Sequence, residues 1–172
     1  MTLQGSHLGM NLTVEDLDIE NTAYFGHCAK HDFHLQRCDD CELMRYPPTS
    51  ACPFCTGLDS TWVSVEGKGE VHSYTEVLHG IQPQFQKQTP YLILLVELDT
   101  QKGKPSEHEA LRVVANLVTP QGQLAPADQV RRVGIGTRVR MVFNDLSPGL
   151  SLPQWTIDEA APQPVPWRYP EP

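Results

Sequence analysis

Residues 38–55 read CDDCELMRYPPTSACPFC, and their reading decides the fold of this 172-residue chain. Four of the five cysteines sit here as two Cys-x-x-Cys pairs, Cys38 with Cys41 and Cys52 with Cys55, separated by ten residues. Two such knuckles can face each other and supply four thiolates, which at ~2.3 Å close a tetrahedral shell around a d¹⁰ ion. A closed shell leaves no position for water, so the expected role is structural, with one zinc. The gap is shorter than the common spacing of roughly 15–20 residues, which implies a small, tight ribbon.

Two other readings of the four thiols stay open. CPFC has the form of a rubredoxin knuckle, and a Cys₄ site accepts iron as well as zinc. A redox dithiol is the third reading, but no βαβ pattern of the thioredoxin kind surrounds either pair. The fifth cysteine, Cys28, falls on a predicted helix and reads as a small buried hydrophobe.

Composition narrows the class. Hydrophobic residues make up 40% and charged residues 20%, as in a soluble domain with a real core. The net charge is −8, and the nearest thing to a basic stripe is Arg131, Arg132, Arg138 and Arg140, broken by glycines and apolar residues. Nucleic-acid binding normally rests on a basic face. The start, MTLQGSHLGMNLTVED, has neither a basic n-region nor an apolar h-region. The longest strongly apolar run, Tyr91 to Val96, is too short to span a bilayer. A cytoplasmic location without membrane contact is therefore expected, and in that reducing setting cysteines serve as ligands or core residues.

The pattern along the chain gives four parts: 1–34, a leader and helical segment; 35–66, the ribbon; 67–160, a β domain; and 161–172, a Pro-rich tail. Residues 1–12 read as a loose leader, Thr13 to Asp16 as the cap of a short helix, and Asp18 as the cap of a second. Ile19, Ala23, His27 and His31 recur every four residues, which predicts an amphipathic helix over about 19–31. Phe33–Arg37 and Trp62–Val65 read as short strands flanking the knuckles. Five strands follow, near 71–77, 91–98, 111–118, 137–143 and 150–157, with helical turns at 126–133 between the third and fourth. That order is the order of an OB barrel. The tail PQPVPWRYPEP is expected to be extended or disordered and dispensable for the barrel.

No catalytic set emerges. There is no Gly-rich phosphate loop, no H-E-x-x-H and no G-x-S-x-G. His31 and His34 are surplus to four cysteine ligands, and His72 and His79, seven apart, face opposite sides of a regular strand. The long loop Gly80 to Pro90, with Phe85 at its centre, is the one connection whose length suggests function.

The order of features resembles a known family. LQRCDDCELMRYPPTSACPFC is followed by WVSVEGKGEVHSYTEVLH, PYLILLVELD, VVANLV, IGTRVRMVF and LPQW. Over about residues 20–157 this is similar to DUF35, the acyl-CoA-associated OB-fold proteins with a rubredoxin-like zinc ribbon. The knuckles together with the G-x-G-x-V-x-S-Y-T turn carry the likeness, while the insertion near 102–109 and the tail depart from it. The resemblance implies a mainly β fold: an N-terminal helix, a zinc ribbon and a five-stranded OB barrel. It also implies an accessory subunit that docks onto a thiolase-fold enzyme, a thiolase, acyltransferase or side-chain aldolase, and helps shape its acyl-CoA site. Catalytic residues would then lie on the partner. Tyr24, Phe25, Phe85, Trp167 and Tyr169 are the expected contact residues, since aromatics anchor interfaces. The competing functions are a nucleic-acid-binding ribbon/OB module and a rubredoxin-like iron electron carrier.

Overall fold

The computed structural model describes residues 2–15 and 18–169. In chain order the elements are β1 (Leu3–His7), β2 (Met10–Val14), α1 (Ile19–Cys28), β3 (His34–Cys38), β4 (Met44–Arg45), β5 (Ser60–Ser64) and β6 (Lys68–Val77). There follow α2 (Pro83–Gln86), β7 (Tyr91–Leu98), β8 (Arg112–Asn116), α3 (Ala127–Arg132), β9 (Arg138–Ser147) and β10 (Leu150–Ile157). The fold is mainly β. A five-stranded sheet ordered β10-β9-β6-β7-β8 forms the OB barrel, and a three-stranded sheet β4-β3-β5 forms the ribbon.

Local chemistry explains most of these elements. Asp18 caps α1 as expected, its carboxylate accepting from the Asn21 N–H at 3.0 Å. The helix closes with the Asp32 N–H on the His27 carbonyl and the His31 N–H on the Cys28 carbonyl, His31 taking φ 55°. In β7 every second side chain is buried, so Leu92, Leu94, Val96 and Leu98 line the core. The barrel closes where Leu117 bridges Trp155 in parallel, with the Val118 N–H on the Trp155 carbonyl at 2.7 Å. Trp155 is fully buried, and its indole N–H donates to the Val113 carbonyl. Gly69 sits where a Cβ would run into the Glu97 carbonyl and Val96, so the spacing of β6 and β7 at this point requires a residue without a side chain.

Helix α1, the ribbon and the barrel share one core. Tyr24 and Cys28 of the helix join Phe33 and Leu35 of the ribbon and Val71, Leu92 and Val139 of the barrel in a single apolar cluster. A polar clamp reinforces the seam. The buried Gln101 side chain accepts from the Met44 N–H at 2.7 Å and donates to the Met44 carbonyl, as a neighbouring strand would.

Three expectations need correction. The leader is not loose: β1 and β2 form a hairpin whose two-residue turn, Leu8–Gly9, has positive φ at both positions. Leu8 hides the turn, because Asn-Gly or Asp-Gly is the usual signal for that geometry. Thr13 and Val14 belong to this hairpin rather than to a helix cap, and Asp16 lies outside the described residues. The alternation read over 71–77 breaks at His72, a β-bulge. Val71 therefore points inward and so do Tyr74 and Glu76, opposite the buried Leu94 and Leu92.

The third correction concerns the tail, which is extended as expected but held against the barrel at Trp167 and Arg168. Trp167 and Ile135 exchange backbone hydrogen bonds of 2.9 Å each way. Arg168 donates to the carbonyls of Val130 and Val133 at the end of α3 and pairs with Glu76 at 2.7 Å. Its guanidinium also lies 5.2 Å from the Tyr74 ring centre. Gly134 makes room, since a Cβ there would meet the Trp167 carbonyl. A proline-rich composition limits core formation, but it does not prevent a strand-like segment from pairing with an exposed edge. Arg168→Ala is expected to lower stability by about 1–3 kcal/mol, because two helix-end carbonyls and a carboxylate lose a charged donor. Urea unfolding followed by tryptophan fluorescence would measure the loss; an unchanged midpoint would mean the Arg168 side chain contributes nothing to stability.

Candidate metal centre and partner surface

The four cysteines converge as their spacing requires. Their sulfur atoms all lie within 4.8 Å of one another, with Cys38 and Cys55 at 3.5 Å and Cys41 and Cys52 at 3.6 Å. The two knuckles are built alike. In the first, the Glu42 N–H donates to the Cys38 carbonyl and the Cys38 N–H to the Leu43 carbonyl, both at 3.0 Å. In the second, the Thr56 N–H donates to the Cys52 carbonyl at 2.9 Å and the Cys52 N–H to the Gly57 carbonyl at 2.8 Å. Glu42 and Thr56, each just after the second cysteine, take φ of 62° and 65°. Two non-glycine residues held in the left-handed region at matching positions show a tightly specified turn. A Cβ at Gly57 would stand 3.3 Å from the Cys38 sulfur and would displace the exposed Asp40 carboxylate.

The four thiols perturb one another. Desolvation raises the Cys52 thiol, but the N–H groups of Cys55 and Phe54 and the neighbouring thiols outweigh it and bring it down to about 7. The Gly57 N–H acts to lower Cys55, yet the crowding sulfurs of Cys38 and Cys41 carry it up to about 12. The first thiolate thus forms easily and the others are opposed by it. Only a positive ion among the sulfurs lets all four ionise together, so the four-cysteine group could hold a metal ion. The donor set is all sulfur and fills a tetrahedron, which fits a structural zinc or a rubredoxin-like iron.

The surplus histidines lie elsewhere. His31 Nε2 is 2.7 Å from the Asp145 carboxylate, and the ring stacks on Phe143. His34 stacks on His27 with ring centres 4.1 Å apart. Cys28 is fully buried, and its thiol is raised to about 12 by desolvation, so it is an inert core residue.

The five expected contact aromatics separate into three groups. Tyr24 is 2% exposed and packs edge-on against Phe25 and Phe33, so it is a core residue and not a contact. Helical periodicity could not show this, because the ribbon that covers Tyr24 comes later in the chain. Phe25 is partly buried against the same core. Phe85, in the one-turn α2, folds back to 5.4 Å from the Tyr91 ring and 6.4 Å from His7 of the hairpin. Trp167 and Tyr169 remain exposed on the docked tail. Sequence reading missed Leu78, just before the Phe85 loop, and Ile81 within it, which are 74% and 90% exposed. It also missed Phe54 and Leu58, exposed on the second knuckle. Among the described residues no helix is long and apolar enough to cross a membrane.

Comparison with known proteins follows this geometry. Residues 62–144 match the family model described as ChsH2, C-terminal OB-fold domain. In solved structures the chain is similar to a chain of Ltp2-ChsH2(DUF35) aldolase, with 30% identity and a TM-score of 0.61, covering 80% of this chain and 94% of that one. The chain belongs to the DUF35 family. A DUF35-family protein of unknown function from Sulfolobus solfataricus shares the fold at 14% identity and a TM-score of 0.50, over 83% of this chain and 95% of that one. Among curated relatives, a DUF35 domain-containing scaffold protein of Methanocaldococcus jannaschii is 31% identical over 108 residues, 62% of this chain and 64% of its own length. A probable enoyl-CoA hydratase alpha subunit of Thermomonospora curvata is 32% identical over 134 residues, 78% of this chain but only 36% of that protein. This DUF35 chain thus spans about a third and just under two thirds of the curated relatives it matches.

Removing one sulfur should empty the centre. Cys41→Ser is expected to lose its metal in elemental analysis, whereas Cys28→Ser should retain a full equivalent. A full equivalent in Cys41→Ser would show that the four sulfurs do not act as one site.

Proposed function

We propose that this DUF35 protein is a non-catalytic accessory subunit that docks onto a thiolase-fold enzyme acting on acyl-CoA or related acyl substrates in the cytoplasm. The observation that carries the reading is the likeness of the ribbon and barrel together to nearly the whole DUF35-family chain of an aldolase. The scaffold protein of Methanocaldococcus jannaschii points the same way. In this reading Cys38, Cys41, Cys52 and Cys55 hold one structural zinc. The metal supplies folding energy and keeps no open position for substrate.

A subunit of this kind acts through contacts, and its surface offers them. Leu78 and Ile81 stand exposed next to the loop whose Phe85 is pinned between Tyr91 and His7. Apolar side chains on a loop held by Phe85 cost less to order on docking than a free segment would. Trp167 and Tyr169, held in place by Arg168, form a second such element. The nucleic-acid reading is weaker. The ribbon tip carries the exposed acids Asp39, Asp40, Glu42 and Asp59, which repel a phosphate backbone.

Co-expression with a candidate thiolase-fold enzyme tests the proposal. The two chains should co-purify, and Ile81→Asp should weaken association at least tenfold while leaving thermal stability unchanged. A partner that is fully active alone and fails to co-purify would remove support for that pairing. Sub-micromolar, salt-dependent binding of labelled oligonucleotides would favour the nucleic-acid reading instead.

A further inference from the structure

Arg45 of β4 is a buried charge without a counter-charge. It is 3% exposed, and a guanidinium keeps its charge across the accessible pH range. Buried charges are normally matched by an ion of opposite sign. None of the ion pairs among the described residues includes Arg45. Its Nε donates to Gln36 Oε1 at 3.1 Å and its Nη2 to the Thr49 carbonyl at 2.9 Å, both neutral acceptors. Its Nη1 is buried with no hydrogen-bond partner.

The position of Arg45 suggests what it balances. It is the cross-strand partner of Gln36 on β3, and Cys38 follows Gln36 by two residues. Strand alternation puts Cys38 on the same face, about 7 Å further along. The Gln36 carbonyl oxygen that accepts from Arg45 also accepts from the Thr49 N–H at 2.8 Å, and the Thr49 hydroxyl donates to the Ala51 carbonyl. Ala51 adjoins Cys52. The guanidinium therefore reaches both limbs that deliver the leading cysteines of the two knuckles. Four thiolates around a divalent ion leave a net charge of −2, to which the nearby acids Asp39, Asp40, Glu42 and Asp59 add; the one cation beside Cys38, Arg37, is exposed and screened by solvent, whereas Arg45 is buried.

We propose that Arg45 is the internal counter-charge of the tetrathiolate centre, a positioning residue that lowers the cost of ionising all four sulfurs. The proposal rests on the reading that Cys38, Cys41, Cys52 and Cys55 hold a divalent metal. A neutral brace would use the same hydrogen bonds, so the test must read charge.

The full chain is loaded with iron in place of zinc, and the ferric/ferrous potential is measured for wild type, Arg45→Met, Arg45→Gln, Arg45→Lys and Gln36→Met. A nearby positive charge favours the ferrous, more negative centre. Arg45→Met and Arg45→Gln should shift the ferric/ferrous ratio about tenfold toward ferric, a drop of about 59 mV for a one-electron couple. Arg45→Lys keeps the charge and Gln36→Met removes only the brace, so both should stay within threefold of wild type. Potentials alike in all five proteins would make Arg45 a brace and overturn the proposal. If the neutral variants fail to load while Arg45→Lys loads fully, the charge is again what matters; if all three Arg45 variants fail alike, the proposal falls. Wild type that takes up neither zinc nor iron would defeat the metal reading itself, a result distinct from any pattern among the variants.

Discussion

The ribbon of this protein is too small to bury a core of its own, and that constraint shapes the molecule. Small modules need a metal, disulfides or a neighbour to fold. Here the tip is gathered by four sulfurs, while the base donates Phe33 and Leu35 to the apolar cluster of the helix and barrel. Each large apolar side chain so buried contributes roughly 1.5–3 kcal/mol. Tyr24 and Cys28 close the third side of the same cluster. Gln101 then ties the short β4 to the turn after β7 through both backbone groups of Met44. Without that shared core the helix, ribbon and barrel would have no fixed relation.

Charge divides the surface in a complementary way. The acids of the ribbon tip are exposed, while the one arginine of β4 is drawn inward. At the far end, Arg168 satisfies the last carbonyls of α3 and neutralises Glu76 in one contact. A charged donor at a helix C-terminus is favoured by the helix dipole as well as by the hydrogen bonds. The tail thereby acts as part of the barrel wall, and its exposed Trp167 and Tyr169 are presented on a fixed backbone rather than on a free strand.

Beside Tyr169, one of the aromatics expected as anchors, Leu78, Ile81 and Leu58 are also largely open to solvent, each in a connection. Connections commonly carry recognition, because their side chains are not needed by the core.

Sequence alone determined the parts whose signal is local. The Cys-x-x-Cys spacing named the four residues whose sulfurs gather at the ribbon tip. The Asp18 cap placed α1, and the order of five strands with a helix after the third named the barrel. Tertiary structure decided what depends on contacts distant in the chain. Tyr24 became a core residue only because Phe33 and Tyr46 close over it. The hairpin at 3–14 was hidden by a leucine in its turn, and the tail was ordered by α3 and β6, elements that composition cannot see. Arg45 shows the same limit. Nothing in its local sequence says it will be buried; that follows from pairing β4 with Gln36 and folding Thr49 back over both. Local propensity specifies elements, whereas burial and charge balance are properties of the assembled core.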